Sequence, residues 1–574
     1  MKELAILTRH FLNRYIHSDL SGPDRDIGLA AGNILVLLAI PGVVYCVGLA
    51  QKYSWLAWHL GDYRTTLYHP ASLGDKFLFI TLAVVVVGFL TVLRWDMLFP
   101  DLCDYMILTP LPVGTFCILA AKSASLLIVL AILALTLNLL TSILYPVMAM
   151  ANNPSFREML HSVWAHAISV FGASLFVYLL MLCFHGILLS LLGHRWFRRV
   201  SPYMQFLALF WLGNQFLAVA VLDRLIQRLQ QGSIVGWAFP TLWFLGLYEK
   251  LLGQPDPVFL PLAHRAQIGL ASVAALAAGV YVAGYARHLL RSLESSTDTA
   301  TRSAWPVRLW LSAADRWLVR DPQERATFHF VWQTVMRSAT HRLFLSAYVG
   351  LGTAIVLEGL AALLIGLGSA KVEGMAVALY SLPLMLSFFV LSGLRVIFAV
   401  PTEIGANWIF QLAEDDQRGL LLAGARKATL WLAITPLFAM LLVVYVCLWG
   451  WFTAILYVAY CVALSWLLLE GLMWNFPKVP FTCAYQPGRI NLPIAGLLCM
   501  VAFSVYAYTM ASFGRWLIEE PVKMLVFYGL FGGVLAVVSS YRERQLETDW
   551  RLLFDEPQEP EVQTLAIGSR HELR

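Results

Sequence analysis

Twelve stretches of predominantly apolar residues follow one another along this chain, at 27–50, 76–94, 114–146, 160–192, 201–222, 262–290, 343–369, 375–400, 428–449, 452–475, 492–513 and 520–541. A helix crosses the hydrocarbon core of a bilayer in about 20 such residues. In lipid the backbone must satisfy its own hydrogen bonds, which a helix does within one segment. The pattern therefore predicts an all-α, polytopic integral membrane protein of about twelve transmembrane helices. The runs at 114–146 and 160–192 exceed one bilayer thickness and are expected to tilt or to extend into water. Only 13% of the 574 residues are charged and 59% are hydrophobic, where soluble domains carry about 25% charge. No room is left for a soluble catalytic domain.

Orientation follows from the basic residues of the loops. With the N-terminus inside, the outer side holds a minority of them, among them Lys52, Lys76, Arg157, Arg224 and Lys250, while Arg195, Arg198 and Arg199 cluster inside. Both termini are expected in the cytoplasm. The net charge of +5 suits basic cytoplasmic loops, and no nucleic-acid partner is expected. The eight cysteines are scattered without a CxxC pair, which argues against a disulfide framework and a metal site. Residues 1–16 are basic and amphipathic, with no cleavable signal expected there.

The chain reads as one plan used twice. Residues 1–293 form a first six-span half, 294–325 a cytoplasmic linker, 326–541 a second six-span half, and 542–574 a charged tail expected to be disordered. Each half opens on an amphipathic helix. In the first, Leu4, Leu7, Phe11, Leu12 and Tyr15 recur at helical spacing opposite Arg9, Asn13 and His17. In the second, Phe328, Val331, Trp332 and Val335 form the stripe, with Gln333, Arg337 and His341 on the remaining surface. Two spans and an inner polar segment follow in each half. The segments are Arg94 to Lys122 and Arg395 to Lys427, and both run from an arginine at a span end to a lysine where the next span begins. The linker contains WPVRLWLSAADRWLVR, expected as a helix on the inner surface.

The segment from Arg94 to Lys122 is half charged and half apolar. Asp96, Asp101 and Asp104 lie among Trp95, Leu98, Phe99, Tyr105, Ile107 and Leu108, and Pro110 and Pro112 then break the helix. Such a segment is expected at the membrane surface, offering its polar side to a partner. Residues 108–122, LTPLPVGTFCILAAK, resemble the leucine-proline and alanine-lysine pattern of the permease subunits of type-2 ABC exporters. The order of an amphipathic helix, two spans, a cytoplasmic amphipathic segment and a lysine also resembles that family over most of residues 1–293. The long outer loop at 223–261 lies where the family places short re-entrant helices. The second half departs, having no leucine-proline turn and a short last outer loop.

The resemblance implies an elbow helix at the N-terminus and a coupling helix between spans two and three. It implies a cytoplasmic ABC-type ATPase subunit as partner, contacted through Asp96, Asp101, Asp104, Tyr105, Leu111 and Pro112, with Glu403, Glu414 and Asp415 from the second half. No GxxxxGK(S/T) loop occurs, so the chain lacks the phosphate-cradling motif of an ATPase. No cofactor is expected on the chain itself, ATP being bound by the partner only, and no enzymatic activity is expected of it. An inner-membrane location and contact with membrane lipid follow.

Ionisable groups at membrane depth are costly and hence functional candidates. They are Glu358, Glu470, His166 and His185, with Asn138 and Gln215 as polar neighbours. They fit a proton or cation path, or hydrogen bonding between helices of the bundle. The loop KVPFTCAYQPGRINLP (478–493) is either a second partner contact or an ordered turn. Two other functions stay open: a proton- or ion-coupled secondary transporter, and a non-transporting membrane assembly subunit. The substrate is not legible.

Overall fold

A computed structural model describes residues 2–16, 39, 42–43, 45–56, 64–99, 114–149, 155–231, 238–253, 257–292, 305–366, 372–402, 407, 409–410, 414–474, 476, 478–483, 502–503 and 505–547. Every regular element among them is helical. The chain is an all-helical, multi-pass membrane protein. Nine helices among the described residues are long and apolar enough to cross a bilayer: Ser72–Leu93, Phe116–Ala149, Phe156–Leu192, Phe259–Tyr281, Thr340–Leu357, Leu379–Ile397, Gly419–Trp449, Trp451–Leu472 and Val522–Tyr541. Of the three expected runs not among them, 27–50 and 492–513 lie largely outside the described residues. The third, 201–222, falls at the end of a longer helix.

The contacts divide the chain into two compact units. The first gathers Met1–Ser303, Arg342–Gly393 and Phe503–Arg515, and the second Ala304–His341, Leu394–Ala502 and Trp516–Arg574.

In the first unit the elements are α1 (Lys2–Ile16), α2 (Arg64–Leu93), a 3-10 turn (Trp95–Met97), α3 (Thr115–Ala149), α4 (Phe156–Leu217), α5 (Leu222–Gln230), α6 (Pro240–Leu252) and α7 (Phe259–Ser292). Local sequence sets their ends. Ser155 caps α4 in a reciprocal box: its hydroxyl accepts from the Glu158 amide at 3.3 Å, and its own amide donates to the Glu158 carboxylate at 2.9 Å. Helix α6 starts with Pro240 in its first turn and stops at Gly253, whose φ of 81° suits a residue without a β-carbon. The core is built by α2, α4, α6 and α7 packing on one another.

Helix α4 is assigned as one run of 62 residues, where the sequence predicts two spans with a basic loop between them. Its two halves nevertheless lie side by side. Val177 and Leu212 both reach the place a β-carbon would take on Gly88, at 3.0 and 2.6 Å. Along a straight helix they would be about 52 Å apart. The chain therefore doubles back between them, and the stacking of His185 on Phe197 at 5.1 Å puts the turn between those two residues. The turn comes close to where the sequence expects a loop; what differs is that the backbone is helical on both sides of it.

The second unit contains α8 (Trp305–Trp317) and α9 (Pro322–Arg337). Two further helices, α10 (Ala339–Gly366) and α11 (Val372–Ile397), have most of their residues in the first unit. The chain then runs through α12 (Glu414–Thr429), a π-helical stretch (Leu430–Ile434), α13 (Thr435–Trp449) and α14 (Trp451–Leu472), and α15 (Met510–Ile518) precedes α16 (Pro521–Glu547). Helix α9 is capped by Asp321, whose carboxylate accepts from the Gln323 amide at 2.8 Å, and it packs on α12.

Candidate functional site

At one end of the first unit, four helices and the helical residues 45–56 bring charged and phenolic side chains together. Asp75, near the start of the apolar part of α2, accepts hydrogen bonds from the Tyr45 hydroxyl at 2.9 Å, the Tyr53 hydroxyl at 2.6 Å and the Lys52 ammonium at 2.7 Å. Its neighbour Lys76 donates to Glu249 of α6 at 2.8 Å, with side-chain exposures of 8% and 0%. Burial of two such ions is tolerable only because each satisfies the other. The Tyr145 hydroxyl of α3 lies 3.3 Å from that of Tyr53 and donates to the Ser72 carbonyl at 3.4 Å.

His166 of α4 is fully buried in this cluster. Its Nδ1 lies 3.3 Å from the Tyr248 hydroxyl. Burial, with the Glu249 carboxylate adding to it, pushes the Tyr248 phenol well above its usual pKa, so the hydroxyl keeps its proton. It can donate to Nδ1 or accept from it, as the imidazole tautomer sets; the other ring nitrogen is Nε2. That atom has no hydrogen-bond partner among the described residues; the rings of Phe79 and Tyr145 lie 5.5 and 5.3 Å from the imidazole, centre to centre.

The sequence marks His166 as a candidate but shows Lys52 and Lys76 only as loop charges. The missed signal was local: Asp75-Lys76 opens a long apolar run, and Tyr248-Glu249 interrupts the apolar helix PTLWFLGLYEKLL.

The opposite end of α2 is closed by rings. After Arg94 the 3-10 turn carries Trp95 inward, where it stacks on His185 with centroids 4.8 Å apart and planes at 26°. His185 stacks in turn on Phe197 at 5.1 Å, and Phe99 meets it edge-on at 5.1 Å. Trp95, Leu98 and Phe99 are buried, so the described apolar residues of the expected coupling segment sit in the bundle core. His185 is an element of that packing. Of the expected coupling residues, Asp101, Asp104, Tyr105, Leu111, Pro112 and Glu403 lie outside the described residues, as do the side chains of Asp96, Glu414 and Asp415 and that of the intramembrane candidate Glu358.

Two junctions tie the amphipathic helices to the starts of later spans. Leu7 and Phe11 of α1 pack with Ile118 and Ala121 of α3, and the Lys122 ammonium lies 4.8 Å from the Phe11 ring centre, a cation–π contact. In the second unit α9 lies on α12, where Lys427 donates to Glu324. There the backbone carbonyl of Glu324 approaches Gly424 so closely that a β-carbon would collide with it. Phe328, Val331 and Val335 are buried as their spacing predicts. His341 is not on the polar surface: α9 ends at Arg337 and a new helix starts at Ala339, so the helical phase is lost. His341 is buried instead, 2.9 Å from the Val400 carbonyl and 2.6 Å from the Ser338 hydroxyl.

Glu470 lies in the last turn of α14, 3.8 Å from Arg426, so it is part of an ion pair at a helix end. Asn138 donates to Ser174 at 3.3 Å, and Gln215 accepts from Thr241 at 3.2 Å; both link helices. The described part of the 478–493 loop is an ordered turn. Phe481, at φ 68°, is buried, its amide donating to Phe398 and its carbonyl accepting from Thr402.

These features define a polytopic, all-helical membrane protein with a buried polar cluster at one end of its first unit. Comparison with protein-family models, with curated proteins and with solved structures finds no match.

Proposed function

We propose that this chain is the membrane-spanning permease subunit of an ATP-driven, ABC-type exporter, powered by a separate cytoplasmic ATPase. The observation that supports it best is the repeated junction. In each unit an amphipathic helix lies on the first turns of a later span at a lysine, Lys122 in one and Lys427 in the other. The two lysines are the ones that end the two polar segments in the sequence. A partner pressing on residues 94–112 would act on a segment held at both ends, by Trp95 in the core and by the turns of α3 under α1. The push would then reach the bundle and not be absorbed by a slack loop.

The test is purification of the tagged, full-length protein from its own membranes. A P-loop ATPase should co-purify and confer ATP hydrolysis. Asp101→Lys with Asp104→Lys should lower that recovery at least several-fold while the protein stays folded; unchanged recovery would remove the docking assignment.

A second reading, a proton-coupled carrier, draws support from the buried cluster of His166, Lys76 and Glu249, because ionisable groups at membrane depth commonly mark proton paths. An ionophore separates the two. Collapse of the proton gradient should stop a carrier and leave ATP-driven export running.

A further inference from the structure

Helix α8 lies in the second unit and carries two kinds of exposed side chain. Trp305, Leu309 and Trp317 are 67%, 51% and 77% exposed. Arg308 and Arg316 are exposed beside them, and Arg320 follows three residues past the helix end. At 100° per residue, Trp305, Arg308, Leu309, Ser312 and Arg316 share one face, and the buried Ala314 lies opposite.

The one acidic side chain of this helix, Asp315, lies at the edge of that face on the Arg308 side and is 32% exposed. It is countered from α9, by His329 at 2.8 Å and by Arg325 at 3.8 Å. The fully exposed charges of α8, Arg308 and Arg316, are both positive. The other side of the helix is fixed to a span. Trp310 stacks on Trp431 with centroids 4.8 Å apart, and the Trp431 indole donates to the Trp310 carbonyl at 3.3 Å. Trp431 stands one turn beyond Lys427, at the point where charge gives way to an unbroken apolar run, as an interfacial tryptophan does.

We propose that α8 is an interfacial anchor that binds anionic phospholipid headgroups of the leaflet it lies against. Tryptophan and leucine enter the boundary between headgroups and acyl chains, and the arginines take the phosphates. An aqueous helix would gain nothing from Trp305 and Leu309 exposed together on one face. A helix on neutral lipid would gain nothing from arginines whose nearest carboxylate, Asp315, is already engaged by α9. This surface does not depend on what the protein transports.

The test is lipid retention by the intact protein, read by native mass spectrometry with phosphatidylglycerol or phosphatidylcholine added to the detergent-purified chain. The wild type should retain phosphatidylglycerol in preference. Arg308→Gln, Arg316→Gln and Arg320→Gln should weaken that binding about fivefold for each arginine removed and leave phosphatidylcholine binding unchanged. The corresponding lysine triple variant keeps the charge and should keep the preference. Should the glutamine triple variant fail to fold, the wild type decides: its preference must fall as salt rises from about 0.05 to about 0.5 M. Equal retention of the two lipids by the wild type, as a face made for a soluble acidic protein would give, overturns the proposal. So does a salt-insensitive preference, or a glutamine triple variant indistinguishable from the wild type.

Discussion

The first unit closes its two ends by opposite means. Around Lys76 and Glu249 the helices are joined by ions and phenols, each needing its partner, whereas around Trp95 and His185 they are joined by stacked rings. A polar junction is specific because an unmatched member is heavily penalised, and it fails abruptly when one member is lost. A stacked junction loses contact area in proportion to what is removed. The polar end is the one that should fail all at once, and the aromatic end the one that should yield by degrees.

The largest expected effect is at the polar end. Glu249→Ala should destabilise the protein by about 3–5 kcal/mol, seen as a lower thermal midpoint in detergent. Lys76→Met combined with Glu249→Leu should recover most of the loss, since no buried ion then remains. A single variant that loses less than about 1 kcal/mol would make the pair ornamental and erase the contrast between the ends. Next, Trp95→Ala should cost about 3 kcal/mol, with Trp95→Phe in between. A graded series of that kind is what stacking predicts; an Ala and a Phe variant equally damaged would show that stacked area does not set the cost. The smallest effect is Tyr53→Phe, about 1–2 kcal/mol, because Asp75 keeps its bonds to Tyr45 and Lys52. A loss as large as that of Glu249→Ala would show that the phenols, not the ions, hold this end together.

Much of the architecture was legible in the sequence because lipid imposes a simple rule on it. Runs such as 114–146 and 452–475 could be only helices, and the stripe of Phe328, Val331 and Val335 marked its buried face in advance. Periodicity failed where a helix was interrupted, as at His341, since phase is not carried across a break. The candidate site was less legible. His166 stood out as an ionisable group in an apolar run, but its meaning comes from Lys76 and Glu249, which are distant in the chain and looked like loop charges. Trp95 could be read as a residue for the membrane surface, and only packing with His185 and Phe197 shows it as an anchor.

The fold-back of α4 has a mechanical consequence. A flexible connector between Val177 and Leu212 would let each arm drift independently and soak up any nudge delivered to it. With helix on both sides of the corner between His185 and Phe197, both arms are stiff right up to the bend. A displacement applied to that corner must therefore tilt the two together, as a bent crank turns both its shafts.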